Sequence, residues 1–282
     1  MSDKWVTIFD IDKCTGCCNC VLATMDEHVN NPHEGYSTGI ELHGEQILDI
    51  TCVERGSYPV IDVNYVLRTC QHCVDAPCAQ KAPDVIEVRS DGIVRIRPEK
   101  AKGRRDVVEA CPFGAVAWNS ELDMPQIWTM DVHLLEQGWT ESRASQACPT
   151  GALQTRRVDV AELEDMRRSG DYRSIDSDIS INTNVLYRNS HSLEPLCLSG
   201  RVVHTVNAEQ ECLAGVSVSL VSGSDNTVLD VARTDDFGIF RFEGLVEAEG
   251  SARLVIEVSE KRRVEFETSI GPNKFVGVIS AD

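Results

Sequence analysis

The placement of cysteine constrains this chain more than any other feature. Ten of its twelve cysteines lie before residue 149, and seven of those ten fall within two short segments, 14–20 and 70–78. Twelve cysteines in 282 residues are too few for a disulfide scaffold, and a chain of this length does not need such cross-links. Because thiolates a few residues apart can converge on one centre, the spacing predicts metal ligation.

Each segment supplies three thiols at ferredoxin-like spacing. The ligand candidates are Cys14, Cys17 and Cys20 in the first segment, and Cys70, Cys73 and Cys78 in the second. Bacterial ferredoxins place a fourth cysteine after three intervening residues, and that cysteine serves the other cluster. Here Thr24 and Ala82 occupy those slots. Both triads therefore need a fourth ligand from elsewhere.

Two isolated cysteines can complete the triads. Cys111 and Cys148 each begin a C-P-x-G-A sequence, which is how the last ligand of a ferredoxin motif ends. Eight thiolates then suffice for two [4Fe–4S] clusters. Because ferredoxin ligands cross between motifs that pair in a nested order, we assign Cys148 to the first triad and Cys111 to the second. The opposite pairing, with Cys111 and Cys148 exchanged, stays open.

Zinc is the main alternative for these eight residues. Structural zinc usually lies between two separated C-x2-C knuckles, whereas three closely spaced cysteines with a distant Cys-Pro are typical of iron–sulfur sites. A zinc-stabilised scaffold protein without a redox role is therefore an alternative function. Anaerobic iron–sulfur protein is brown and a zinc protein is colourless, so colour separates the two.

The remaining cysteines and two histidines are better explained as packed residues than as metal ligands. His28 and His72 lie near ligands and could hydrogen-bond to a cluster or a partner, but we favour satisfied core or interface histidines. Four cysteines fit no ligand spacing, and we expect each to be a small packed residue: Cys18, Cys52, Cys197 and Cys212.

The chain changes character twice along its length. Residues 1–158 contain short elements, including strands over 5–10 and 92–97 and a helix over 105–110, and predict a ferredoxin-like iron–sulfur domain. Residues 159–195 begin with helical character over 159–169 and continue as a polar stretch, which predicts a linker or a strap on a partner subunit. Residues 196–282 contain six short alternating strands and predict an antiparallel β-sandwich. The expected fold class is α+β.

The charge and hydropathy patterns narrow the range of partners. Lys and Arg number 27 against 45 Asp and Glu, a formal charge of −18, so nucleic acid would be repelled. The sequence contains no apolar run near the roughly 18 residues that span a bilayer, and its start lacks a secretory-signal pattern. We expect no nucleic-acid partner, no direct membrane insertion and a cytoplasmic location, although a signal on a partner could export both subunits.

The motifs together resemble a known family. Four cysteine motifs followed by a small sandwich resemble the iron–sulfur subunits of the dimethyl-sulfoxide-reductase family of molybdenum enzymes. The resemblance is closer to small subunits of the pyrogallol–phloroglucinol transhydroxylase and resorcinol hydroxylase type, and covers nearly the whole chain. The segments between the motifs carry it, at 25–28, 55–59, 62–65, 91–94, 98–103 and 184–188.

The resemblance implies a fold, a partner and a function. The sandwich would be transthyretin-like, and a large partner subunit would carry molybdenum bis-pterin guanine dinucleotide, in a heterodimer or a larger assembly. That partner would act on hydroxylated aromatic compounds of the resorcinol or pyrogallol type, while this non-catalytic subunit would transfer electrons. The alternative within the same family is the electron-transfer subunit of an enzyme with an inorganic substrate.

The chain departs from the family pattern at one cluster. The family has cysteines at four positions that here hold Thr24, Trp128, Asp131 and Ala144. These are the ligand positions of a single cluster, so we expect two clusters rather than three. Trp128 would fill the vacated volume, and Asp131 would need a partner or water there.

Overall fold

Short strands and helices alternate between the cysteine loops in the N-terminal part of the chain. The computed structural model describes residues 3–176, 178–193, 196–243, 250–259 and 262–282. The strands are β1 (Lys4–Asp10), β2 (Leu48–Ser57), β3 (Val60–Thr69), β4 (Ile86–Val88), β5 (Val94–Ile96), β6 (Ala117–Asn119), β7 (Met124–Gln126), β8 (Leu153–Val158), β9 (Tyr172–Arg173) and β10 (Val185–Arg188). The helices are α1 (Asn19–His28), α2 (Pro77–Lys81), α3 (Pro98–Ala101), α4 (Arg105–Glu109), α5 (Val132–Leu135), α6 (Arg143–Gln146) and α7 (Val160–Arg168).

A four-stranded sheet organises this part of the chain. Its strand order is β8-β1-β10-β9, with β1 antiparallel to β8 and parallel to β10. Val6, Ile8 and Leu186 project from its strands onto a buried cluster, which Leu163 and Met166 of α7 complete. Three two-stranded sheets, β2-β3, β4-β5 and β6-β7, complete the strand pairing.

Most of the elements expected before residue 170 are present. The expected strands at 5–10 and 92–97 are confirmed as β1 and β5, and the expected helix at 105–110 as α4. The helical character after Asp159 is α7, whose first turn is capped by the Asp159 carboxylate accepting from the Glu162 N–H at 2.8 Å.

The expectation of a polar connector over the rest of 159–195 is wrong in part. Val185, Leu186 and Tyr187 form a fully buried strand between β1 and β9. A strand buried on both faces has a continuous apolar run and no alternation, so periodicity does not reveal a run this short. Contact of this segment with a partner stays a prediction.

The C-terminal part of the chain consists of strands only, within the ranges that the structure describes. They are β11 (Leu196–Val206), β12 (Glu209–Cys212), β13 (Ser217–Ser222), β14 (Val228–Arg233), β15 (Ile239–Glu243), β16 (Gly250–Ser259), β17 (Arg262–Ile270) and β18 (Phe275–Ser280). One sheet has the order β12-β11-β15, with β18 also paired to β11, and the other has the order β14-β13-β16-β17.

The two C-terminal sheets share one apolar core. Val202 and Phe240 of one sheet and Val218, Leu254 and Ile256 of the other belong to the same buried cluster, so the sheets form a sandwich. All six strands expected from alternation are present. The short strand β12 and the last strand β18 were not expected.

The chain divides into two compact units. The first comprises Met1–Cys52 and Asn64–Ser192, and the second comprises Val53–Val63 and Leu193–Asp282. The second unit thus includes the turn region between β2 and β3 as well as the sandwich. Within that unit, the buried Arg55 guanidinium lies 3.2 Å from Asp62 and 2.9 Å from Glu243. Both candidate ligand groups lie in the first unit.

Candidate iron–sulfur centres

The first group of thiols is assembled from a loop, a helix and a distant turn. Cys14 and Cys17 lie between β1 and α1, and Cys20 lies in the first turn of α1. The thiol of Cys148, from the turn before β8, lies close enough to influence the titration of both Cys14 and Cys20. The structure therefore brings Cys148 to the first triad.

Gly16 is required at the centre of this loop. Its φ is +67°, and a Cβ built there would lie 2.4 Å from the ring of Tyr65. Only glycine adopts this left-handed conformation at low cost while admitting so close a side chain. The glycine of the Cys-Thr-Gly-Cys sequence thus allows the loop to curl against Tyr65.

The second group of thiols lines a small pocket. Cys70 follows β3, Cys73 lies in the next turn, and Cys78 lies in the first turn of α2, which begins with Pro77. Cys111 follows α4 and lines the same pocket together with all three. The structure therefore brings Cys111 to the second triad.

The two Cys-Pro turns share two local features. In each, the thiol accepts a hydrogen bond from a backbone N–H further along the turn, from Ala115 to Cys111 and from Leu153 to Cys148, both at 3.4 Å. Gly114 and Gly151 have positive φ values of 58° and 65°. This repeated geometry orients backbone dipoles toward a sulfur that carries negative charge when it binds iron.

The position of the expected lost cluster is filled by buried side chains. Trp128, Asp131 and Ala144 are fully inaccessible, and Thr24 is 2% exposed. Thr24 Oγ1 donates to the Cys20 carbonyl at 2.9 Å, a bond within α1. Trp128 is among the largest fully buried side chains in the described ranges, as expected for a residue that fills this volume.

Asp131 is the centre of a hydrogen-bond network at this position. Its Oδ1 accepts from the Trp128 indole N–H at 3.2 Å and lies 2.9 Å from His28 Nε2. Its Oδ2 accepts from the Arg143 backbone N–H at 2.9 Å. The carboxylate thus joins α1, the loop before α5 and the start of α6, and the expected requirement for a partner is met.

Both histidines near the ligands are core residues. His28 is 1% exposed and pairs with Asp131, and His72 is fully buried with Nδ1 accepting from the Val94 N–H at 2.9 Å. Burial lowers the pKa of His72 to about 3, so this ring is neutral. The His28–Asp131 pair was missed from the sequence because its two residues are 103 positions apart.

The expectation of packed cysteines outside the two groups is wrong for three of them. Cys18, Cys52 and Cys212 are exposed. Cys18 has a left-handed backbone at the start of α1, while Cys52 and Cys212 lie on solvent-facing positions of β2 and β12. The side chain of Cys197 lies outside the described residues.

Comparison with known proteins assigns the chain to a family. Residues 61–158 match a family model described as a 4Fe-4S dicluster domain. Over 255 residues the chain is 30% identical to the pyrogallol hydroxytransferase small subunit of Pelobacter acidigallici, with 89% of this chain and 90% of that protein covered. The chain belongs to the family of this small subunit. The resemblance carried by the linking segments is thereby confirmed.

Other relatives of this small-subunit family align over less of the chain. A selenate reductase subunit of Mesobacillus selenatarsenatis is 34% identical over 113 residues, 40% of this chain and 35% of that protein. The arsenate respiratory reductase iron–sulfur subunit of a Shewanella species is 28% identical over 149 residues, 52% and 58% of the two chains.

In the described part of this chain, no helix has the length and apolar character to cross a membrane.

The thiols of this family member fit iron–sulfur clusters of the 4Fe–4S type. Burial and the neighbouring thiols raise the pKa of Cys20 and of Cys73 to about 12, and that of Cys70 well above its usual value. Such thiols stay protonated unless a cationic group binds them, and a coordinating metal deprotonates a thiol outright. No described cysteine forms a disulfide. Reduced thiols grouped in this way, of which Cys20 and Cys73 are buried and Cys17 is exposed, are the donor set that iron–sulfur clusters require.

Proposed function

We propose that this chain is the electron-transfer subunit of a molybdenum hydroxylase or transhydroxylase that acts on hydroxylated aromatic compounds. The observation that carries the proposal is the near full-length similarity to the pyrogallol hydroxytransferase small subunit. Relatives named for selenate and arsenate align over about half of the chain or less, which favours the aromatic substrate class over an inorganic one.

Two [4Fe–4S] clusters are proposed for this subunit. Cys14, Cys17, Cys20 and Cys148 would hold one, and Cys70, Cys73, Cys78 and Cys111 the other. The proximity of Cys148 to the first triad and of Cys111 to the second supports this pairing over the exchanged one. When bound, the clusters supply reversible one-electron storage.

The residues around the thiols would adjust the reduction potential of the bound clusters. The N–H groups of Ala115 and Leu153 point at ligand sulfurs and stabilise added negative charge. The buried, neutral His72 beside Cys70 and Cys73 adds no positive charge. The chain thereby holds the ligands in fixed positions and tunes the charge that they bear.

Bond making and breaking is proposed to take place on a large partner subunit. That subunit would carry molybdenum bis-pterin guanine dinucleotide and form a heterodimer or a larger assembly with this chain, in the cytoplasm. Residues 159–195 are proposed to lie on the partner, since the described residues of 169–182 are all exposed or half-buried. The C-terminal sandwich is proposed to be transthyretin-like, with its two four-stranded sheets as support.

Anaerobic co-purification tests the proposal. The tagged chain is expressed with its large subunit, and iron, molybdenum, zinc and pterin are measured together with turnover of resorcinol and pyrogallol. We expect about eight irons per chain, from two four-iron clusters, and a co-purifying molybdenum subunit active on an aromatic substrate. A colourless zinc protein would support the scaffold alternative, and activity confined to an oxyanion substrate would support an inorganic reductase.

A further inference from the structure

Three metal-ligating side chains that the cysteine groups do not use meet beside the end of α1. Glu27 lies in the last turn of that helix, His33 lies in the loop that follows it, and His133 lies in α5. One ligand atom from each of these three residues lies within 4.8 Å of the other two. The carboxylate oxygen Oε1 of Glu27 is 2.9 Å from His133 Nε2 and 3.7 Å from His33 Nε2.

We propose that Glu27, His33 and His133 form a binding site for one divalent transition-metal ion, with zinc as the representative metal. Two imidazoles and one carboxylate are a recognised ligand set for zinc and for ferrous iron. Bonds of about 2.1 Å in a tetrahedral arrangement place neighbouring ligand atoms about 3.4 Å apart. The two oxygen-to-nitrogen distances at Glu27 bracket that value.

The two imidazoles are suited to act as neutral donors. Their ring centroids are 3.6 Å apart at an interplanar angle of 18°, a stacked arrangement that two protonated rings would resist by charge repulsion. Neutral imidazole is the form that binds a metal ion.

Arg143 lies against the carboxylate of this cluster. The other oxygen of Glu27, Oε2, lies 3.4 Å from Nε of Arg143, which would orient the carboxylate as outer partners of metal ligands do.

The site is open on one side. The side chains of His33 and Glu27 are 13% and 17% exposed, so an ion can enter from solvent and keep a water as its fourth ligand. Ligands of one tetrahedral ion diverge by about 109°, so the stacked rings must swing apart on binding. His33 is the ring that can move, because it lies in a loop and is the more exposed of the two.

Zinc binding to the intact complex tests this site. The anaerobically purified complex is treated with EDTA and desalted, ZnCl₂ is titrated, and retained zinc and iron are measured by mass spectrometry. We expect one zinc per chain with the iron content unchanged. Removing a ligand in His33→Ala should weaken zinc binding by about 100-fold or more, since even outer-partner changes cost 10–100-fold.

Matched variants keep the test decisive. Glu27→Gln preserves the shape of the side chain and removes its charge, so it should fold and lose zinc. His43→Ala removes an exposed histidine elsewhere and should bind zinc as the parent does. Iron content and circular dichroism identify a variant that has lost its fold. The site is refuted if the parent retains no zinc, if zinc displaces iron, or if folded Glu27→Gln and His33→Ala bind like the parent.

Discussion

Replacing Asp131 with alanine should destabilise the first unit strongly. The carboxylate is fully buried, and its three partners lie at 2.9, 2.9 and 3.2 Å. Asp131→Ala leaves the Trp128 indole N–H, the Arg143 backbone N–H and His28 without an acceptor, in a volume that water does not reach. Breaking a buried polar pair of this kind costs about 3–5 kcal/mol. Asp131→Asn retains one acceptor oxygen and should cost about 1–3 kcal/mol.

The stability cost of the backbone conformation has to be separated from the cost of losing the hydrogen-bond network. Asp131 has a left-handed backbone with a φ of 55°, which alanine adopts less readily than aspartate or asparagine. Asp123 has a φ of 56° and an exposed side chain, so Asp123→Ala carries the same backbone cost without the buried network. The difference between the two alanine variants therefore reports the loss of the network together with the buried volume that alanine leaves empty.

Anaerobic differential scanning calorimetry at a fixed scan rate provides the assay. For a unit of this size, each kcal/mol shifts the apparent Tm by about 2–4 °C, so Asp131→Ala should melt about 6–20 °C below the parent. Asp123→Ala should stay within a few degrees of the parent. Equal shifts in Tm for the two alanine variants would show that the hydrogen bonds of Asp131 contribute nothing to stability. The claim that Asp131 stabilises the filled position would then be wrong.

Two further predictions concern the cysteine loops. Cys148→Ser should lose about four irons per chain; adding Cys17→Ser should remove no more, whereas adding Cys73→Ser should remove about four more, because clusters are lost as units. Iron analysis of the two double variants checks this, and the reverse pattern would establish the exchanged pairing. Gly16→Ala should cost about 1–3 kcal/mol more than Gly35→Ala, because both glycines have positive φ but only the first would press its Cβ against a ring. Thermal scans compare the two, and equal losses would contradict the close-packing argument.

Local pattern was enough to predict most strands and the ligand candidates. Alternation identified all six expected strands of the sandwich, and cysteine spacing identified two groups that the structure assembles in space. Spacing alone left the partners of Cys111 and Cys148 open, because the local sequence does not show which distant segments meet in the fold. The buried strand β10 was missed since its apolar run is short and unalternating. The network of Asp131 was missed since its acceptor and donors come from three separate segments.

The filled position fits the proposal of two clusters, because it offers a way for the first unit to keep its architecture without a third. A cluster there would tie together α1, the loop before α5 and the start of α6 through bonds to iron. Asp131 ties the same three segments together through hydrogen bonds to His28, Trp128 and the Arg143 N–H. An apolar residue would fill the space but would leave these donors unpaired, at a cost of about 1–3 kcal/mol each. Because the donors surround the position, an acceptor with two oxygens satisfies them where a hydrophobic residue could not.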